Sequence, residues 1–264
     1  MTKKTIKAIQ QQKGGKKITC LTAYTSAVAK IIDNYVDIVL VGDSLGSTIY
    51  GMKNTQKVTL GMMKAHGRAV SQYCKKSFTI VDMPFNTYNN NKEALSNAKS
   101  IISYTKCQSV KIETDENNIG IVKYLTKNKI KVVSHIGVTP QKYKNFNKIR
   151  TVGKLPNAKE KIVKLALNLE KAGSCLIVLE CMKETLAKEI SKKLKIPTIG
   201  IGASKDCDGQ ILVIDDILGI SSSEKKPKFV KSYANLESII NKSVKKYCLD
   251  IIQKKFPNKK NVYK

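Results

Sequence analysis

Short apolar runs rich in Val, Ile and Leu recur along this sequence, and longer segments with helical spacing separate them. The runs are Ile18–Ala23, Asp37–Gly42, Phe78–Asp82, Ser109–Glu113, Lys131–His135, Cys175–Glu180, Thr198–Gly202 and Ile211–Ile214. Most are continuously apolar rather than alternating. A strand buried on both faces reads this way, and such strands belong to parallel sheets. Between them, Leu60–Cys74 sets Met63, Val70, Tyr73 and Cys74 near one face, and Asn91–Thr105 repeats Leu95, Ala98, Ile101 and Ile102. Ala158–Ala172 repeats Ile162, Leu165, Ala166 and Leu169, and Leu236–Ile252 repeats Ile239, Ile240, Val244, Cys248 and Ile251. These spacings predict core stripes rather than partner-binding faces.

Eight rounds of strand and helix predict a (β/α)8, TIM-type barrel. An open doubly wound sheet is the alternative arrangement of the same units. The length of 264 residues suits a barrel, which takes about 250. We read 1–264 as a single barrel domain, ending in a helix and basic tail from about residue 233. Two connections, Ser44–Thr59 and Gly137–Asn157, are long, and long loops in compact domains are functional or disordered. The polar, basic stretch Ser221–Lys228 reads as a flexible segment.

A net charge of +28, from 48 Lys+Arg against 20 Asp+Glu, raises the question of a nucleic-acid or anionic-membrane partner. The distribution argues against both. Lysines are scattered singly and in pairs, Arg68 and Arg150 are the only arginines, and there is no Trp. Base readout leans on Arg, and single-strand binding on aromatics within a basic groove. Lys, Ile and Asn share A/T-rich codons, so a biased genome accounts for the surface charge. The seven cysteines are odd in number and lack C-x-x-C spacing, which excludes a disulfide framework or zinc ribbon. Reduced thiols point to the cytoplasm. No signal segment opens the chain, and no apolar run is long enough to span a bilayer.

In a barrel of this type, chemistry gathers at the C-terminal strand ends. Here those ends carry Asp43 and Ser44, Asp82, Lys111 and Glu113, His135, and Glu180, and the seventh leads into Gly200-Ile-Gly-Ala-Ser204. One acid ending one strand reads equally as a helix cap or loop charge. Five polar ends together read as a site, because a charge ending an apolar strand is costly unless paired or metal-bound. Carboxylates from successive strands suit Mg²⁺, a hard ion that keeps waters and takes substrate oxygens. Lys111 and Glu113 are two apart in a strand and share a face. His135 reads as a substrate contact or a satisfied structural histidine, and His66 as a packing or surface residue within a helix. Cys175 and Cys181 lack a basic partner in sequence and read as packing. The Gly200–Ser204 turn is too short and too late for a dinucleotide fingerprint; it fits a close backbone approach at the barrel mouth.

At these residues the sequence resembles the ketopantoate hydroxymethyltransferase family. The matching stretches are Leu21-Thr-Ala-Tyr24, Val41-Gly-Asp-Ser-Leu-Gly46, Val81-Asp-Met-Pro-Phe85, Val110-Lys-Ile-Glu113, His135-Ile-Gly-Val-Thr-Pro-Gln141, Leu179-Glu-Cys181, Pro197-Thr-Ile-Gly-Ile-Gly-Ala203 and Asp208-Gly-Gln-Ile-Leu-Val213. They occur in family order over roughly residues 17 to 232. The resemblance implies transfer of a hydroxymethyl group from 5,10-methylenetetrahydrofolate to C3 of 3-methyl-2-oxobutanoate through a Mg²⁺-stabilised enolate, giving 2-dehydropantoate for pantothenate synthesis. It implies a magnesium ion in each subunit and a homo-oligomer, a decamer. Asp43, Asp82 and Glu113 match metal ligands. Asp43, Ser44, Asp82, Lys111 and His135 match positions at the substrate, Lys111 against its carboxylate. Glu180 looks like the family's proton acceptor. The family's glycine-containing loop after Thr139-Pro-Gln141 is replaced here by Phe146-Asn-Lys-Ile-Arg150 and Val152-Gly-Lys154. Two other readings remain to be tested against this one: a related metal-dependent lyase or aldolase acting on another 2-oxo acid, and a basic nucleic-acid-binding protein.

Overall fold

The computed structural model describes residues 2–144, 150–153, 156–220 and 227–263. The altered loop at 146–149, Lys154 and most of the stretch 221–228 lie outside the described residues. The chain divides into two compact units, Met1–Val213 and Ile214–Lys264.

The first unit opens with helix α1 (Ile6–Gln10), and then strand and helix alternate: β1 (Ile18–Thr22), α2 (Ser26–Ile32), β2 (Ile38–Val41), α3 (Leu45–Thr48), α4 (Leu60–Ser71), β3 (Phe78–Asp82), α5 (Asn91–Thr105), β4 (Ser109–Glu113), α6 (Ile119–Lys127), β5 (Val132–Gly137), α7 (Pro156–Lys171), β6 (Leu176–Glu180), α8 (Glu184–Lys193), β7 (Thr198–Ile201) and β8 (Gly209–Leu212). Each strand pairs in parallel with the next, and β8 returns to β1. The sheet is the predicted closed barrel, not the open doubly wound alternative. Strands β3 and β4 run where the sequence places them, whereas β8 begins two residues earlier than the apolar run Ile211–Ile214. Its first residue is glycine, which has no apolar side chain to signal a strand.

Every second residue of a strand points inward. Ile18 and Cys20, Ile38 and Leu40, Phe78 and Ile80, Val133, Leu176 and Val178, Ile199 and Ile211 fill the interior, joined by Ile9 of α1. Outward residues such as Val39, Val81, Val110, Ile112, Ile136, Ile177 and Leu179 are buried as well. Burial on both faces explains the continuous apolar runs. In α5 the buried stripe is Ala94, Ala98, Ile101 and Thr105, one position N-terminal to the expected Leu95 at its start. Small residues on that face let the helix approach the sheet closely. In α4, Tyr73 of the expected stripe is exposed, beyond the helix end at Ser71.

Three aspartates stitch the segments that enter strands. Both oxygens of Asp33 accept from the single backbone N–H of Lys76, Oδ2 also from that of Lys75 and Oδ1 from that of Ser77, just before β3. Asp37 accepts from the Thr19 N–H and hydroxyl and pairs with Lys4. Asp208, within the Asp208–Val213 motif, accepts from Lys13, the Gly14 N–H and the Thr198 N–H. This acid is therefore a structural tie.

In the second unit, α9 (Ile214–Leu218) precedes α10 (Leu236–Ile252), which occupies the expected residues. The expected core stripe is a different matter. Helix α10 has no buried residue; Ile239, Ile240, Val244, Cys248 and Ile251 are all exposed. Helical spacing encodes a face that gains from cover, but it does not encode whether the same chain supplies the cover.

Burial pushes the Asp33, Asp37 and Asp208 carboxyls up, but their hydrogen bonds outweigh it and hold all three below the ordinary carboxylate range. A depressed folded pKa stabilises the fold above the unfolded value of about 4 and ceases to do so as pH falls toward the folded value. Thermal unfolding followed between pH 7 and pH 3 is therefore expected to show a falling Tm below about pH 4. Asp33→Asn and Asp208→Asn should lower Tm more at pH 7 than at pH 3; an equal loss at both would contradict this account.

Candidate active site

The candidate side chains continue the inward series of their strands. Asp82 follows Phe78 and Ile80 on β3, His135 follows Val133 on β5, and Glu180 follows Leu176 and Val178 on β6. Lys111 and Glu113 share one face of β4. The period of two carries these polar groups into the layer beyond the apolar interior, toward the C-terminal strand ends. Register fixes who meets whom: Asp82 lies beside Lys111, Glu113 beside His135, and Gly137 beside Glu180. Asp43 and Ser44 come from the turn after β2.

Lys111 Nζ lies 3.0 Å from Asp82 Oδ2, and the same oxygen accepts from the Asp43 N–H at 3.0 Å. The other Asp82 oxygen, Oδ1, is buried with no hydrogen-bond partner. Burial pushes the Asp82 carboxyl up, the Asp43 charge adds to the rise and Lys111 opposes it, leaving the group at about 7. Burial also raises Glu113, with the charge of Asp43 adding and Lys111 opposing. Burial works against the Lys111 ammonium, but Asp82, Asp43 and Glu113 outweigh it and raise its pKa. His135 Nε2 lies 3.1 Å from Glu180 Oε2, and Nδ1 lies 3.8 Å from Glu113 Oε1. Neither ring nitrogen has the alignment of a hydrogen bond, so we read the first contact as electrostatic proximity. Burial, then Lys111, lowers the imidazole pKa; Glu180 opposes. Glu180 is the most open acid of the group, its side chain 16% exposed against 2% for Glu113.

Ser44 Oγ is 2.7 Å from the Tyr24 hydroxyl. His66, read from sequence as packing or surface, ties two loops together: Nδ1 is 2.6 Å from the Tyr24 carbonyl oxygen and Nε2 is 3.0 Å from the Tyr50 hydroxyl. Cys175 is buried and Cys181 half-buried, and all seven thiols are free. Two residues at the mouth carried no role in the sequence reading. Gln141 closes a quoted motif, yet only the fold brings its amide to Asp43 and its N–H to Glu113. Tyr88 stands in the polar stretch Asn86–Asn91 and has no local signal; its hydroxyl donates to Gln141 Oε1.

The mouth thus gathers four carboxylates, Asp43, Asp82, Glu113 and Glu180, against one lysine. That charge imbalance, the unpartnered Asp82 Oδ1 and the all-oxygen acid set fit a hard divalent cation. Among the described residues no three His, Cys, Asp or Glu side chains form a ready-made metal cage. Mg²⁺ keeps several of its waters, so a set of acids can hold it in part through them.

A sequence profile described as ketopantoate hydroxymethyltransferase matches residues 3–259. The chain belongs to the ketopantoate hydroxymethyltransferase family. A 3-methyl-2-oxobutanoate hydroxymethyltransferase of Pelagibacter ubique (strain HTCC1062) is 50% identical, covering 100% of both chains. One from Rhizobium etli (strain ATCC 51251 / DSM 11541 / JCM 21823 / NBRC 15573 / CFN 42) is 44% identical over 97% of this chain and 94% of its own. Among solved structures, a phosphonopyruvate hydrolase complex with oxalate and Mg²⁺ superposes with a TM-score of 0.61 at 13% identity, covering 81% of each chain. That likeness extends the barrel fold beyond the hydroxymethyltransferases.

Gly137 ends β5 with φ +103°, and a Cβ there would come within 2.3 Å of the Glu180 carbonyl oxygen. The absence of a side chain lets β5 press against the strand that carries Glu180. Gly137→Ala should cost at least about 2 kcal/mol through strain and displacement. For a chain of this size that is a Tm fall of about 4–8 °C by calorimetry; an unchanged Tm would show that the contact is not constraining.

Proposed function

We propose that this chain transfers a hydroxymethyl unit from 5,10-methylenetetrahydrofolate to C3 of 3-methyl-2-oxobutanoate, giving 2-dehydropantoate for pantothenate synthesis. The observation that carries the reading is one barrel mouth in which an acid-bound lysine on β4 and the most open acid, Glu180 on β6, belong to the same carboxylate-rich cluster. Asp43, Asp82 and Glu113 would hold Mg²⁺ there. When bound, the ion supplies Lewis acidity at the substrate's keto oxygen, an effect worth several kcal/mol of charge stabilisation.

The chain's own groups do the rest. Lys111, kept cationic by its acidic neighbours, receives the substrate carboxylate, and Ser44, steadied by Tyr24, meets the substrate beside it. Asp82 balances the lysine and contacts the bound substrate. Glu180 takes the C3 proton, for which its relative openness leaves access. His135, with its pKa lowered by burial, sits as a neutral imidazole between Glu180 and Glu113 and lines the pocket. The resulting enolate carbon attacks the one-carbon unit of the folate, and because C3 carries two methyl groups the angle of approach matters. Both C–N bonds of that unit break, C3 replacing one nitrogen and the oxygen of water the other; the C3 proton and one proton of water end on those nitrogens, giving 2-dehydropantoate and tetrahydrofolate.

We place the enzyme in the cytoplasm as a homo-oligomer, a decamer. Seven free thiols suit a reducing compartment, and the oligomer is what the family resemblance implies. No described helix is long and apolar enough to cross a membrane.

The test is turnover of 3-methyl-2-oxobutanoate with methylenetetrahydrofolate, with and without Mg²⁺. Product should form only with the ion. Glu180→Gln should lower kcat by at least about 10²-fold, the usual share of a general base, while Asp82→Ala should abolish the response to Mg²⁺. Full activity in both variants would overturn these assignments.

A further inference from the structure

Gln141 is 2% exposed, and all its polar groups are engaged. Its side-chain Nε2 donates to Asp43 Oδ2 at 2.8 Å and to the Met83 carbonyl at 3.1 Å. Its Oε1 accepts from the Tyr88 hydroxyl. Its backbone N–H lies 3.2 and 3.1 Å from the two Glu113 oxygens, and its carbonyl accepts from Gln56 Nε2 at 2.8 Å. One residue thereby reaches the acid after β2, the chain leaving β3, the acid ending β4, and the loops on either side.

The amide has one workable orientation. Turned over, it would set Oε1 against a carboxylate oxygen and a carbonyl oxygen, two acceptors with no proton between them, while Nε2 would face the hydroxyl that now donates to Oε1. Asp43 and the Met83 carbonyl therefore fix the direction of the amide's donors, and the Tyr88 hydroxyl holds its oxygen on the other side. Backbone and side chain of the same residue then hold Asp43 and Glu113 at a set separation. Two buried carboxylates without an intervening donor would repel each other and turn away; here a neutral donor group holds an oxygen of each. A core glutamine filling space would need none of this convergence on two acids.

We propose that Gln141, held by Tyr88, is the positioning residue that spaces Asp43 and Glu113 for a divalent cation. The proposal rests on reading the mouth as a Mg²⁺ site. Partners of this kind, one step removed from the ion, typically change metal affinity by about 10–100-fold.

The experiment uses the full-length protein. Mn²⁺ binding by electron paramagnetic resonance and Mg²⁺ binding by calorimetry are measured for the unsubstituted chain, Gln141→Met and Tyr88→Phe, each with an ion-free Tm. Gln141→Met should weaken both ions by about 10–100-fold. Tyr88→Phe, which keeps the ring and removes the donor to Gln141 Oε1, should weaken them by a smaller factor with Tm within about 4 °C of the parent. In turnover assays the half-saturating Mg²⁺ should rise by the same factors, with kcat recovered at excess ion for Tyr88→Phe. Unchanged affinities in both variants overturn the proposal while leaving the cation site intact. A lowered Tm with unchanged half-saturating Mg²⁺ also overturns it, because it assigns Gln141 to stability alone. If the unsubstituted chain binds neither ion, the cation reading falls, and this proposal with it.

Discussion

Four buried or nearly buried carboxylates sharing one lysine is the constraint around which the barrel mouth is arranged. Taking such a set from water is costly unless a cation or donors compensate it. Burial first, and then the charge of Asp43, raises the Asp82 and Glu113 carboxyls, while the surrounding acids outweigh burial and raise the Lys111 ammonium. The fold tolerates this crowding because the strands beneath are packed on both faces and cannot spread to relieve it. Parallel register places Asp82 against Lys111 and Glu113 against His135, so the acids are held by the same ladder that closes the barrel. The site and the sheet are one structure.

Much of this was legible in the sequence because both signals repeat. Continuous Val/Ile/Leu runs mark strands covered on both sides, and a polar residue ending such a run stands out against its neighbours. Asp82, Glu113, His135 and Glu180 end such runs, with Lys111 two residues before Glu113 and Asp43 and Ser44 in the turn after β2. The start of β8 was displaced because Gly209 carries no apolar signal. The stripe of α10 has helical spacing but no buried residue: periodicity says that a face is apolar, and cover is a property of the folded surroundings.

The contacts that sequence could not supply are those made across strands by residues in loops. Gln141 follows β5 in sequence, yet it bonds to groups beyond β2, β3 and β4. Tyr88 and Gln141 are 53 positions apart. His66 looked unremarkable on a helix and proves to join Tyr24 to Tyr50. No local pattern encodes such meetings, because each depends on where two loops land after the barrel has closed.

The central claim is that this mouth loosens the C3 proton of 3-methyl-2-oxobutanoate, with Glu180 taking it. Proton NMR of that compound in D₂O, with enzyme and Mg²⁺ but no folate, tests it at the step itself. The account predicts loss of the C3–H signal at a rate that depends on enzyme and ion, with the two methyl signals collapsing from doublets toward singlets. A C3–H signal that persists at the uncatalysed rate would contradict it.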